Sequence, residues 1–149
     1  MLKENLSLSG DVKIELVDKN GNTKETREIK NLVVSSGLTF ICSRMADTSS
    51  SVMSHMALGS GTTAAAANQT DLVSILGSRE ALDSTSALSN TITYVASFEA
   101  GDATGAVTEA GLFNASSGGT MLCRTVFSVV NKSSDDTLNI TWVITLQAS

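Results

Sequence analysis

The stretch from Leu138 to Leu146 limits what this chain can become more than any other. Leu138, Ile140, Trp142, Ile144 and Leu146 take every second position, with Asn139, Thr141 and Thr145 between them. Only an extended strand with one face against a core puts those two sets on opposite sides; a helix would scatter them. At about 1.5–3 kcal/mol for each fully buried large side chain, the five contribute on the order of 10 kcal/mol, an upper bound because unfolded chains are already partly compact. The preceding segment, Thr120 to Val130, is rich in β-branched and large apolar residues, and Asn131 to Asp136 supply a polar connection. The two segments are expected to pair as a closing antiparallel hairpin. A lone hairpin is marginal in water, so the rest of the chain must provide strands to cover it.

Those strands are visible as short alternating runs. Val12, Ile14 and Leu16 alternate with Asp11, Lys13 and Glu15, and Asp18-Lys-Asn-Gly-Asn22 follows, in which Asn20-Gly21 is a strong turn signal. A first hairpin over about 7–34 results, charged at its tip and apolar at its base, a gradient that predicts a projecting tip. Leu38, Ile41, Cys42 and Met45 then stand at i, i+3, i+4 and i+7. This spacing predicts one short helix near residues 36–46, docked through those four side chains, capped by Ser35 or Ser36 and ended by Asp47 to Ser51. Val52 to Leu58 reads as strand, Gly59 to Thr70 as a low-complexity stretch that is either loop or a short helical turn, and Leu72, Val73, Ile75 and Leu76 as a short amphipathic helix. A further hairpin turns at Ser86–Asn90 with Ile92, Tyr94, Ala96 and Phe98 on one face, and Val107 to Asn114 forms another strand. The expectation is a mainly β protein, a single antiparallel β-sandwich domain over 1–149, jelly-roll-like, of seven to nine strands.

Composition narrows the function. Only 17% of residues are charged and 4% aromatic, against a net charge of −5. With no basic stripe, the electrostatic footprint of a nucleic-acid binder is missing. No apolar run is long enough to span a membrane, and Met1 to Asn5 has no signal-peptide core, so synthesis in a cytoplasm is expected. A polar, weakly charged surface suits repeated contact with other protein.

Residues that resemble sites each have a plainer explanation. Gly59-Ser-Gly-Thr-Thr-Ala64 matches a dinucleotide fingerprint but lacks the βαβ context, so a turn is expected. Asp18, Asn20 and Asn22 alternate as in a calcium loop, yet Thr23 and Ile29 stand where that loop needs glycine and glutamate. His55 is the only histidine, and Cys42 and Cys123 lie in apolar patterns, so all three are expected to be structural. No G-x-S-x-G or other nucleophile motif occurs, and no enzyme, cofactor or metal is expected. Glu109, inside Val107-Thr-Glu-Ala-Gly-Leu-Phe113, is expected to be satisfied by Arg124, Arg79 or backbone amides, or else to be a solvated strand carboxylate.

Five blocks carry a resemblance: Asn31-Leu-Val-Val-Ser-Ser-Gly-Leu38, Met56-Ala-Leu-Gly-Ser-Gly-Thr-Thr63, Thr108-Glu-Ala-Gly-Leu-Phe-Asn114, Gly119-Thr-Met-Leu-Cys-Arg-Thr-Val-Phe127 and Leu138-Asn-Ile-Thr-Trp-Val-Ile-Thr145. Together they resemble small structural proteins of tailed bacteriophages, over roughly residues 30–146. The resemblance implies a virion component with a β-rich fold and no catalytic residues. The expected role is a capsid decoration or cement protein that bridges major capsid subunits, as a homotrimer or homodimer. Its contact elements would be the first hairpin, with Lys13, Glu15, Lys24, Arg27 and Lys30, and the loop carrying Gly59, Gly61 and Thr62. A tail, collar or fibre-base component is the alternative. A carbohydrate-binding sandwich would need exposed aromatics, whereas Trp142 falls on the core face and leaves only Tyr94.

Overall fold

The computed structural model describes residues 4–48 and 50–148. Met1 to Lys3, part of the stretch read for a leader, and Ser49, inside the expected helix stop, lie outside them. The elements are β1 (Leu6–Val17), β2 (Thr23–Val33), α1 (Ser35–Met45), β3 (His55–Gly59), β4 (Glu80–Ala81), β5 (Ser84–Leu88), β6 (Thr91–Phe98), β7 (Gly105–Phe113), β8 (Met121–Lys132) and β9 (Thr137–Ala148). The fold is mainly β and antiparallel with one helix, and its strands join in one curled sheet, a half-barrel, ordered β4-β3-β7-β8-β2-β1-β9-β6-β5. A single hydrogen-bonded sheet thus stands where two stacked sheets were expected.

β9 lies at the middle of one half. Its inward residues form rows with both neighbours: Val12, Trp142 and Tyr94; Ile14, Ile140 and Ala96; Leu16, Leu138 and Phe98. All nine are buried. These rows are the cross-strand contacts that hold a sheet, and Ala96 leaves room beside Ile140 for the bulk around it. Across the curl, Met56, Leu58, Val107, Leu112, Leu122 and Val130 close the same core.

The expected closing hairpin does not form. β8 pairs with β7 and β2, β9 pairs with β1 and β6, and the β1–β2 hairpin sits between them. The connection at residues 133–136 stays short because the curl carries the end of β8 over the start of β9, where Lys132 Nζ donates to the Glu99 carbonyl at 2.9 Å. The first hairpin does not project, since β1 pairs with β9 from Leu6 to Val17. β2 meets β8 only at Leu32–Arg124 and Val33–Cys123; beyond that point Arg27 bridges the two strands, donating to the Ser128 and Val129 carbonyls at 3.0 and 3.2 Å.

The helix turns a different face to the sheet from the one its apolar spacing predicts. Gly37 is its buried residue, so close to β8 that a Cβ there would fall 2.1 Å from the Leu122 carbonyl oxygen. Phe40 and Ile41 pack on the core, whereas Leu38, Cys42 and Met45 are exposed. Backbone contact through the glycine fixes the helix's rotation, keeps Ile41 of the predicted stripe on the core and leaves the other three in solvent. Neither serine caps it; Ser36 instead donates to the Met121 carbonyl at 2.9 Å. Leu72 to Leu76 form no helix: the Val73 and Ser74 amides serve the site below, and the Leu76 amide donates to the Leu58 carbonyl at 2.8 Å. Among the described residues, no helix is long and apolar enough to cross a membrane.

Candidate functional site

Two features of this fold bring functional groups together: a buried carboxylate under the 59–76 segment, and an apolar cleft at the opening of the half-barrel. Strand β7 explains the first. From Val107 to Phe113 every residue is buried, because one face meets the core and the other lies beneath residues 59–76. Glu109 is on the covered face. One of its oxygens, Oε2, accepts the Gly61 amide at 2.6 Å and the Ser74 amide at 2.9 Å; Oε1 accepts the Val73 amide at 2.8 Å and Arg124 Nε at 3.1 Å. Arg124 is also fully buried. Its Nη2 is 3.1 Å from Oε1, off line for a hydrogen bond, while Nη1 donates to the Thr63 carbonyl at 3.0 Å and to Gln69 Oε1 at 2.9 Å.

Gln69 in turn accepts the Ala66 amide and donates to the Ala64 carbonyl, and Thr108 donates to the Gly61 carbonyl at 2.8 Å. An irregular segment cannot satisfy its own backbone under cover, so these side chains do it. The pair is a latch. With two donors on each carboxylate oxygen, the group is committed to holding chain and has no free lone-pair direction for a substrate proton.

The glycines read as contact residues are part of this latch. Gly59 and Gly61 are buried, and a Cβ on Gly61 would lie 2.1 Å from Glu109 Oε2, so the motif makes room for a carboxylate. Thr62 is exposed. Arg79, the other cation considered for Glu109, stacks 3.6 Å from the Phe113 ring centroid and donates to the Ala115 and Gly118 carbonyls. On the first hairpin, Lys13 is exposed and Glu15 half-buried, accepting from Thr23. Lys24 pairs with Asp136 at 2.9 Å, Arg27 with Glu25 while spanning to β8, and Lys30 with Asp11. Three of these five charges are therefore ion-paired within the chain.

Trp142 is fully buried, and its Nε1 donates to Asn31 Oδ1 at 3.2 Å over the space left by Gly10, which leaves no exposed tryptophan platform. His55 Nδ1 lies 2.8 Å from Ser54 Oγ on half-buried strand. Cys123 is fully buried and its thiol is pushed up by desolvation, which removes thiolate chemistry there. Among the described residues, no three His, Cys, Asp or Glu side chains are grouped to hold a metal.

The second feature went unread in the sequence. A cleft of about 510 Å3 opens between α1 and the free end of the sheet, lined by Phe40, Ile41, Met45, Val52, Tyr94 and Leu146 among others, with Arg44 as its one charged residue. It exists because the sheet stops at β5 before the curl closes. Burial raises the Tyr94 hydroxyl to about 12. Met45, in the lining, is 81% exposed.

No protein-family model, no curated protein and no solved structure matches this chain.

Proposed function

We propose that this protein is a structural component of a tailed-bacteriophage particle, a decoration or cement protein that binds across neighbouring capsid subunits and reinforces the head. The observation that carries the reading is what the Thr108–Asn114 block does. It is the part of the chain most like phage structural proteins, and in the fold Thr108 and Glu109 use their side chains to fasten backbone. The functional groups that sequence reasoning brings forward act as fasteners, while large apolar side chains stand in solvent around an open seam. Such a surface is made for contact with protein. The half-barrel's kinship with jelly-roll-like sandwiches belongs to the same proposal.

The mechanism is mass action. A protein that binds assembled shell and not free capsid subunits stabilises the shell by its binding free energy, multiplied over many copies. Lys13 and Thr62, exposed on the first hairpin and the latched loop, are candidate contacts, as are the apolar residues of the seam. The test mixes purified protein with empty shells. Saturable co-sedimentation and a raised temperature of shell disruption support the proposal; no binding at saturating protein overturns it. Binding to isolated tails in place of shells would move the protein to the tail, collar or fibre base.

A further inference from the structure

The seam of the half-barrel has an unguarded lip. β5, Ser84-Thr-Ser-Ala-Leu88, ends the sheet; one edge pairs with β6 and the other faces outward. All five residues are exposed. Exposed sheet edges usually carry a lysine, a proline or a bulge that discourages further pairing. β5 has none, and its pairing with β6 is regular throughout. The opposite end of the sheet, β4, is only two residues long and includes Glu80. Met45 and Val52, both largely exposed, line the cleft beside β5, and Leu88 ends the strand itself.

We propose that a second copy of this chain covers the seam, with β5 of each copy paired antiparallel to β5 of the other across a two-fold axis. Charge favours this occupant. At net −5 two copies repel through most faces, but Ser84 to Leu88 carries no charge. Arg44, the only charged residue lining the cleft, donates to the Ser50 carbonyl at 2.7 Å and has no acidic partner among the described residues, so the negative field of a second copy is met by a cation that no acid of its own chain neutralises. The strand is also its own complement. Centred on Ser86, antiparallel pairing sets Ser86 opposite its own copy, Thr85 opposite Ala87 and Ser84 opposite Leu88. Thr85 and Ala87 line the cleft, so the added strand continues that face and roofs the opening. The contact is isologous and closes at two copies. It stands apart from the particle reading, since a dimer that never meets a shell would still form it.

Sedimentation velocity on the full chain up to about 100 µM should show twice the 15.5 kDa chain mass. Position is tested by cysteine pairing in a Cys42→Ser background. Opposed residues of antiparallel strands lie about 4.5–5.5 Å apart at Cα, within disulfide reach. Ser86→Cys should therefore link to itself under mild oxidation, a mixture of Ser84→Cys and Leu88→Cys should link to each other, and Asn22→Cys, in the β1–β2 turn, should stay monomeric on non-reducing gels. Thr85→Lys should weaken the dimer at least about tenfold with an unchanged circular-dichroism spectrum. A monomer at about 100 µM, or a dimer in which neither cysteine pairing forms, overturns the proposal.

Discussion

Replacing Glu109 by glutamine changes one oxygen to an NH2 group and tests the latch directly. Each carboxylate oxygen accepts two donors: Gly61 and Ser74 amides on Oε2, Val73 amide and Arg124 on Oε1. Whichever way the amide turns, two donors lose their acceptor and face a third donor. Hydrogen bonds to a charged group contribute about 1.5–3 kcal/mol each, and breaking a buried ion pair costs about 3–5 kcal/mol. These are overlapping descriptions of one loss, so Glu109→Gln should destabilise by about 4 kcal/mol. For a chain of this size that lowers the melting temperature by about 8–16 °C. Thermal unfolding by circular dichroism reads the total. Hydrogen exchange should show the Gly61, Val73 and Ser74 amides opening before the β9 amides. Arg124→Met should cost a similar amount, and the double variant less than the sum by more than about 1 kcal/mol. A loss below about 1 kcal/mol, with those three amides as protected as in the parent, would refute the latch.

The other predictions concern separate parts of the molecule. Tyr94 is the only tyrosine, so its ultraviolet titration is unambiguous: the midpoint should lie at about 12 in the folded protein and about 10 in denaturant. Because the folded state prefers the neutral hydroxyl, stability should hold below about pH 10 and fall from there upward; a folded midpoint near 10 would mean the cleft floor is wet. Asp136 is held below the usual carboxylate range by its hydrogen bond from Lys24 and by the Ser133 amide. Its contribution is thus present above about pH 3.9 and lost as pH falls through its lower folded value, so Asp136→Asn should melt lower at pH 7 and lose less on acidification. Identical acid limbs for the two proteins would contradict this. Gly37→Ala drives a methyl group into the Leu122 carbonyl and should cost about 1–3 kcal/mol, with faster exchange in α1; an unchanged melting temperature would show that the helix is not docked there.

What the sequence made legible follows from which faces are covered. β9 alternates because only its inner face is buried, so its period of two survives in Leu138 to Ile144. β7 is buried on both faces, its alternation disappears, and only the oddity of an acid in an apolar run marked Glu109. The 59–76 segment was unreadable because its shape is imposed by a carboxylate from 35 to 48 residues further along the chain, not by local propensity. The helix was located to within about a residue, but of the four residues expected to dock it only Ile41 meets the core: the signal for the docked face was Gly37, a residue with no side chain to count. Strand pairing failed where nearness in sequence was taken for nearness in the sheet, since β8 and β9 are separated by the first hairpin. The cleft had no local signal at all, being the space left where a curled sheet ends.

The central claim is that this half-barrel is a building block held to a particle by protein contacts. If the proposal holds, a tailed-phage genome encodes the chain, and cryo-electron microscopy of those virions tests it most directly. The account predicts density of this fold on the outer face of the head, seated between capsid subunits in many copies. Heads without such density, in particles from which the chain is absent, would contradict it.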